Sequence, residues 1–389
     1  MRRWPTKPLG KVCELVNGAP FKPSDWDGSG LPIVRIQNLN DPAKPFNSTS
    51  KKIAEKFRVR PGDTLLSWSG TPGTSFGCFR WNGPEGWLNQ HIFNVHLNKE
   101  VLPPFFIYQV NSKLDELIGK AHGGVGLQHI TKGALSSVDV TVPPLAEQER
   151  IVKLLDEADE LRKLRAQADC RTAALLPALF HEMFGDPVTN PKGWPVFDFG
   201  QLLAEPLRNG LSPAKDGTHP AKVFTLSAIT GERFNAAAWK DASFARLPDK
   251  DCQTSERLFL ICRGNGNREL VGRGKFPSGV GENIVFPDTM VAGVPKPDML
   301  LPTFLEEAWN LPVTRTQIAS GARTTNGAFK INQTVIEQIR LLVPPLLFQV
   351  EFAQRVAEIR ELEAAQAASR QRLEALFQSM LHRAFNGEL

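Results

Sequence analysis

Much that would narrow the function is missing from this chain. It has five cysteines in 389 residues (Cys13, Cys78, Cys170, Cys252 and Cys262), and none forms a CxxC pair. An odd, scattered set argues against a disulfide frame or a zinc site built on paired thiols. It suits reduced thiols in the cytoplasm. Long apolar runs are absent: the longest, around LLVPPLLF, is far short of the ~20 residues that cross a bilayer. No membrane association is therefore expected. The basic start, MRRWPTKPLG, has no apolar stretch behind it, so no secretory leader is expected.

The usual signatures of catalysis are missing too. No lysine has Asp or Glu two residues before it, which removes the carboxylate–lysine pairing of metal-dependent nucleases. The Gly-Lys pairs at 10, 119 and 274 are followed by Val, Ala and Phe, so no GxxxxGK[ST] phosphate loop exists. GNGNRE and GRGKFP both fail GxGxxG at the third glycine. HEMFG at His181 stops short of HExxH, because position 185 is glycine. Adenine methyltransferases use an Asn/Asp-Pro-Pro-aromatic loop. Here the two Pro-Pro pairs have Val142 and Val343 in place of the polar residue, and Leu145 and Leu346 in place of the ring. With no motif and one tyrosine (Tyr108), the chain is expected to be non-catalytic, with no cofactor and no metal of its own.

What is present is a repeat. VPPLAEQERIV begins at Val142 and VPPLLFQVEFA at Val343, an offset of 201 residues. At that offset Gln148 faces Gln349, Ile151 faces Phe352, Leu161 faces Leu362, and Phe184 faces Phe385. Upstream, Ile130, Leu135 and Val138 face Ile331, Ile336 and Ile339. The two starts, WPTKPLGKV from Trp4 and WPVFDFGQL from Trp194, match at offset 190. A gapless register over about 55 residues means two copies of one unit. The division is 1–144, a first lobe; 145–186, a long helix; 187–344, a second lobe; 345–389, a second long helix.

Each helix follows its Pro-Pro pair and carries an apolar seam of period 3.5. The seams are Ile151, Leu154, Ala158, Leu161, Ala168, Leu175 and Leu179, then Phe352, Ile359, Leu362, Leu373, Leu376 and Met380. Both turn polar midway, at Arg165 and Gln366. A 3.5-residue period predicts two helices supercoiled on each other, antiparallel. Pro177 is expected to kink the first. The lobes read as short strands (LPIVRIQNL, DTLLSW, HIFNVHL, KVFTLSAI, RLFLIC, GENIVF) with one helical stretch each, FFIYQVNSKLDELIGK and PTFLEEAWNLPV. The fold class is α+β: two β-rich mixed lobes and two long helices, internally duplicated.

Charge follows this division. Residues 1–141 have a net charge of +6 and residues 190–342 of +3, while the helical stretches 145–186 and 346–389 have −3 and −1, within a total of +5. Basic lobes suit a polyanion and acidic helices suit proteins.

The duplicated order of these motifs resembles the DNA-specificity subunit of Type I restriction–modification systems, over essentially the whole chain. The resemblance rests on the paired starts, on GLQHITKGALSSVDVTVPPLAEQERI with GAFKINQTVIEQIRLLVPPLLFQVEF, and on the closings LFHEMFGD and LHRAFNGEL. It implies that each lobe reads one half of a split sequence in double-stranded DNA. It further implies that the coiled coil sets the spacer, and that two methyltransferase subunits dock, with two ATP-dependent motor-nuclease subunits in the full complex. S-adenosylmethionine, and ATP with Mg, would belong to those partners. Lobes of different sequence imply an asymmetric target. The competing reading is a duplicated coiled-coil scaffold that binds only proteins.

Base edges are read by forked donors and amides, carried on loops after short strands. In the first lobe the candidates are Arg35, Gln37, Asn38, Ser69, Thr71, Gln90, His122 and Gln128. In the second they are Arg263, Asn265, Asn267 and Arg268 in CRGNGNREL, then Arg323, Thr324, Thr325, Asn326 and Lys330 in GARTTNGAFK.

Overall fold

A computed structural model describes residues 4–41, 43–71, 75–119, 122–124, 127–281, 283–325 and 327–389. It divides into two compact units, Met1–Gln167 with Ala367–Leu389, and Ala168–Gln366. Each unit is one lobe plus part of both long helices.

The long helices are α1 (Leu145–Ala173), α2 (Leu175–Phe184) and α3 (Leu346–Asn386). α3 has 41 residues, about 60 Å at 1.5 Å per residue. The break between α1 and α2 falls at Ala174, three residues before Pro177. Proline has no N–H to give the carbonyl of residue 173, and its ring crowds that carbonyl, so the turn before it opens.

The 3.5-residue period holds, and the expected seam is covered at Ile151, Ala158, Leu179, Phe352, Ile359, Leu373 and Met380, but not at its middle leucines. Along α1 the covered positions are Ile151, Leu155, Ala158, Arg162, Arg165, Asp169 and Thr172, while Leu161 and Leu175 face solvent. Along α3 they are Phe352, Val356, Ile359, Glu363 and Gln366, then Leu373 and Phe377, with Leu362 and Leu376 exposed. Choosing leucines over arginines misplaced the middle of the seam. There two of the inward residues meet polar partners on the other helix. In the first unit Arg162 donates to Glu374 Oε2 at 2.9 Å and lies 4.2 Å from the Phe377 ring centre. In the second, Gln366 donates to Thr172 Oγ1 at 2.9 Å. The helix partners run antiparallel within each unit: Arg150 meets Leu389 and Arg162 meets Glu374, while Thr172 meets Gln366 and Arg355 meets Glu182.

Each lobe has one four-stranded antiparallel sheet at its centre. In the first the order is Cys13–Asn17, Ile92–Leu97, Thr64–Ser67, Gly77–Arg80; in the second it is Leu203–Asn209, Met290–Pro295, Phe259–Cys262, Gly274–Lys275. The first core joins Phe105, Phe106 and Val95 to Ile151 and Leu155 of α1 and to Phe377 and Leu381 of α3. The second joins Phe304, Trp309 and Phe259 to Phe180 and Phe184 of α2 and to Phe352 of α3. LPIVRIQNL is a strand only over Leu31–Val34; Ile36–Asn40 is a short helix. PTFLEEAWNLPV becomes a helix at Pro302–Asn310, followed by another at Pro312–Gly321.

The repeat has structural causes. Gln148 is fully buried: its Oε1 accepts from Leu102 N, and its Nε2 donates to the carbonyls of Glu100 and Pro143, all at 2.8 Å. Gln349, equally buried, accepts from Leu301 N at 2.9 Å and donates to the carbonyls of Met299 and Pro344 at 2.8 Å. A buried amide thus pins each Pro-Pro turn and helix start to its lobe. The tryptophans of the two starts do likewise: Trp4 Nε1 donates to Ala384 O at 3.2 Å and Trp194 Nε1 to Phe184 O at 3.1 Å. Gly18 and Gly210 mark a further equivalence. A Cβ at either would lie 2.2 Å from a backbone oxygen, so only glycine fits.

All five cysteines are free thiols. Burial pushes Cys13 up to about 12 and Cys262 to about 11, which keeps both protonated. Among the described residues no helix is long and apolar enough to cross a membrane.

Candidate nucleic-acid interface

Beside each central sheet lies a small three-stranded sheet. In the first lobe its strands are β1 (Ser69–Gly70), β2 (His122–Gly124) and β3 (Leu127–His129), ordered β2-β3-β1. In the second they are β4 (Gly264–Asn265), β5 (Arg323–Thr325) and β6 (Ala328–Lys330), ordered β5-β6-β4. The registers correspond. Ser69 pairs with His129 and His129 with His122; Gly264 pairs with Lys330 and Lys330 with Arg323. His122 and Arg323, and His129 and Lys330, are each 201 residues apart. Paired residues on neighbouring strands share a face. One backbone row therefore holds Ser69, His129 and His122 in one lobe and Gly264, Lys330 and Arg323 in the other.

In the first lobe this sheet hangs on Trp68. Its carbonyl accepts from Ile130 N at 3.0 Å, its N–H donates to His91 O at 3.3 Å, and its indole donates to Asn17 Oδ1 at 3.2 Å. The ring stacks on Phe93 at 5.6 Å between centres and has His91 and His129 at 5.9 and 6.0 Å. Ser69 Oγ lies 2.6 Å from His129 Nδ1, and Gln90 Nε2 lies 3.3 Å from His91 Nε2. Burial, helped by the charges of His129 and Arg35, holds the His91 imidazole below its usual pKa, so it is neutral at pH 7. Arg35, at the start of the Ile36–Asn40 helix, lies 5.2 Å from the half-exposed Trp26 ring.

The candidates of this lobe divide. Arg35 and Gln90 lie near His91 beside the small sheet, Ser69 lies on its edge strand, and His122 and Gln128 are backbone positions in its strands. Thr71 follows it directly and is exposed. Asn38 does not belong: it is buried, with Oδ1 taken by Arg35 N and Nδ2 by Lys44 O. It shapes its own turn and cannot meet a base. Gln37 donates to Pro45 O at 3.4 Å. Ser69 is buried as well, so it acts on His129 and does not reach outward. Trp68, His91 and His129 were missed. For His129 alone a signal was available: His129-Ile130 and Lys330-Ile331 share the 201 offset.

In the second lobe Arg263 takes the backbone place of Trp68. Its carbonyl accepts from Ile331 N and its N–H donates to Thr289 O, both at 2.9 Å. Its Nη1 contacts Asp288 O at 3.4 Å. Asn265 Oδ1 accepts from Asn267 N at 2.8 Å, and Asn267 Oδ1 from Glu269 N at 3.0 Å, so both carbonyls close local turns. Arg268 donates to Ala319 O at 3.0 Å and lies 6.0 Å from the Phe329 ring, and so braces its loop. Arg323, Thr324 and Lys330 are exposed. Thr325 ends β5, and Asn326 lies outside the described residues. Among the described residues, no group of three or more His, Cys, Asp or Glu converges as a metal site.

Residues 1–168 match the Type I restriction modification DNA specificity domain. The first 168 residues therefore carry that family's domain. Over nearly its full length the chain is similar to the Type I restriction enzyme EcoKI specificity subunit of Escherichia coli K12, with 24% identity covering 99% of this chain and 89% of that protein. Its fold is shared with two solved structures. One is the S subunit of the Type I restriction–modification system from M. genitalium, at 14% identity and TM-score 0.54, covering 98% and 96% of the two chains. The other is a chain from a structure concerned with complex assembly and conformational transition of the type I R-M system, at 19% identity and TM-score 0.61, covering 100% and 99%. The matched domain is one of DNA specificity, and the similar full-length proteins are specificity subunits of Type I restriction enzymes.

Proposed function

We propose that each lobe of this specificity subunit reads one half of a split, asymmetric target in double-stranded DNA through its small three-stranded sheet and the loops beside it. The observation that carries this is the pair of corresponding rows. The frame around them is duplicated down to single hydrogen bonds, while the residue types along the rows differ at every place. A scaffold that only bound proteins would have no reason to hold two unlike basic lobes in one frame.

The long helices are the partner-binding and spacing part. α3 leaves Leu347 and Val350 exposed at its start, which suits a protein surface. Two methyltransferase subunits dock there and on α1, and two restriction–translocase subunits join them. S-adenosylmethionine, and ATP with Mg, are bound by those subunits. This chain supplies the address and no chemistry, and acts in the cytoplasm where DNA is exposed. Half-sites about one helical turn, roughly 34 Å, apart present the same groove face, so helix length and spacer length should change together.

Titrating the assembled complex with duplex DNA at 50 and 200 mM salt tests the reading. Affinity should fall by about a thousand-fold, as phosphate contacts release counterions. Binding indifferent to salt would leave the protein-only scaffold as the better account.

A further inference from the structure

Arg323 and Lys330 stand directly opposite each other on β5 and β6, both exposed. Side chains so placed share a face with their Cβ atoms about 5 Å apart, and like charges there repel. Among the described residues no carboxylate is paired with either. The third member of the row is Gly264, where a Cβ would sit 3.2 Å from Lys330 Cγ. The glycine gives the lysine stem room to lie along the sheet. A folded chain that keeps two opposed cations together, with space cleared beside them, presents them to something rich in acceptors.

Phosphates and guanine edges both qualify, and the comparison between lobes chooses. The sugar–phosphate backbone is the same under both halves of any target, so a phosphate grip at this row should recur in both lobes. It does not: the row carries Ser69 and His129 in the first lobe, with Ser69 Oγ on His129 Nδ1. A row that changes chemistry while its backbone stays fixed is where bases are read. Arginine or lysine pairs with O6 and N7 of guanine in the major groove. Resting on the proposed function above, we propose that Arg323 and Lys330 are the guanine-reading residues of the second lobe, and that the half-target of this lobe contains a G·C pair that the first lobe does not require.

The test is co-expression of the full chain with its methyltransferase partner, followed by genome-wide mapping of methylated adenines. Arg323→Gln and Lys330→Gln are compared with the wild type. Both positions are exposed, and each change relieves repulsion, so the variants should fold. Each should relax one G·C position in one half, reducing discrimination there roughly ten-fold or more, and leave the other half untouched. The proposal is overturned if the half that responds contains no G·C pair. It is also overturned if methylation falls equally at all sequences with a shallower salt dependence, the mark of a phosphate contact, or if neither variant alters the target. A wild-type complex that methylates no specific sequence would sink the specificity reading itself. A specific target indifferent to both variants would sink only the guanine assignment.

Discussion

Gln148 and Gln349 occupy the same surroundings, each with three hydrogen bonds to corresponding backbone groups at 2.8–2.9 Å. The rows Ser69–His129 and Gly264–Lys330 share a register and nothing else. The first pair joins lobe to helix, and every copy of the frame needs that joint. The second pair joins no lobe to a helix, and its side chains were free to diverge. Duplication therefore preserved the buried amide at each joint and released the side chains of the rows.

The largest expected effect breaks the likeness of the two cores. In the second unit Glu306 accepts from Phe276 N at 2.7 Å, and its other oxygen lies 3.8 Å from the buried Lys275 and 3.4 Å from Arg360 of α3. Counting from the Leu-Pro starts of the Pro103–Ser112 and Pro302–Asn310 helices, the first unit has Ile107 there. Glu306→Ala strands a buried lysine and should cost about 3–5 kcal/mol. Urea unfolding should show the loss in the second unit only.

Next comes a test of sameness. Gln148→Leu and Gln349→Leu each leave one buried N–H and two buried carbonyls without that partner. Each should cost about 3 kcal/mol, and the two costs should agree within about 1 kcal/mol. Unequal losses would mean that the joints, alike in geometry, differ in energy.

The smallest effect belongs to a group only the first lobe has. His91 has a folded pKa below its usual 6.5, so at high pH both states are neutral and nothing is contributed. As pH falls through about 6.5 the unfolded chain takes the proton first, and stability drops. Thermal unfolding at pH 5.5 and 7.5 should show a slightly smaller drop for His91→Gln than for the wild type. The second lobe, with Thr289 at the matching backbone place, should show no such term.

The frame was legible in the sequence because its rules are local or repeated. Pro-Pro turns, the 201-residue register and the 3.5-residue period follow from residues a reader can align by hand. The middle of the seam was not legible, because Arg162 and Thr172 turn inward toward partners more than 190 residues away, Glu374 and Gln366. The reading rows were half legible. Loop composition pointed at Ser69, Arg323 and Lys330, but it could not show that Asn38 is spent on Arg35 N and Lys44 O. It could not place His91 and His129 around Trp68 either, since strand pairing brings them together from 38 residues apart in the chain.

The most direct test of one frame carrying two readers is to replace residues 194–342 by a second copy of residues 4–141, joining at the matched tryptophan and the matched VPPL. Methylated adenines are then mapped in cells that also express the methyltransferase partner. The account predicts a target whose two halves both read as the half now assigned to the first lobe. A folded complex that kept the original asymmetric target, or changed both halves to new sequences, would contradict it.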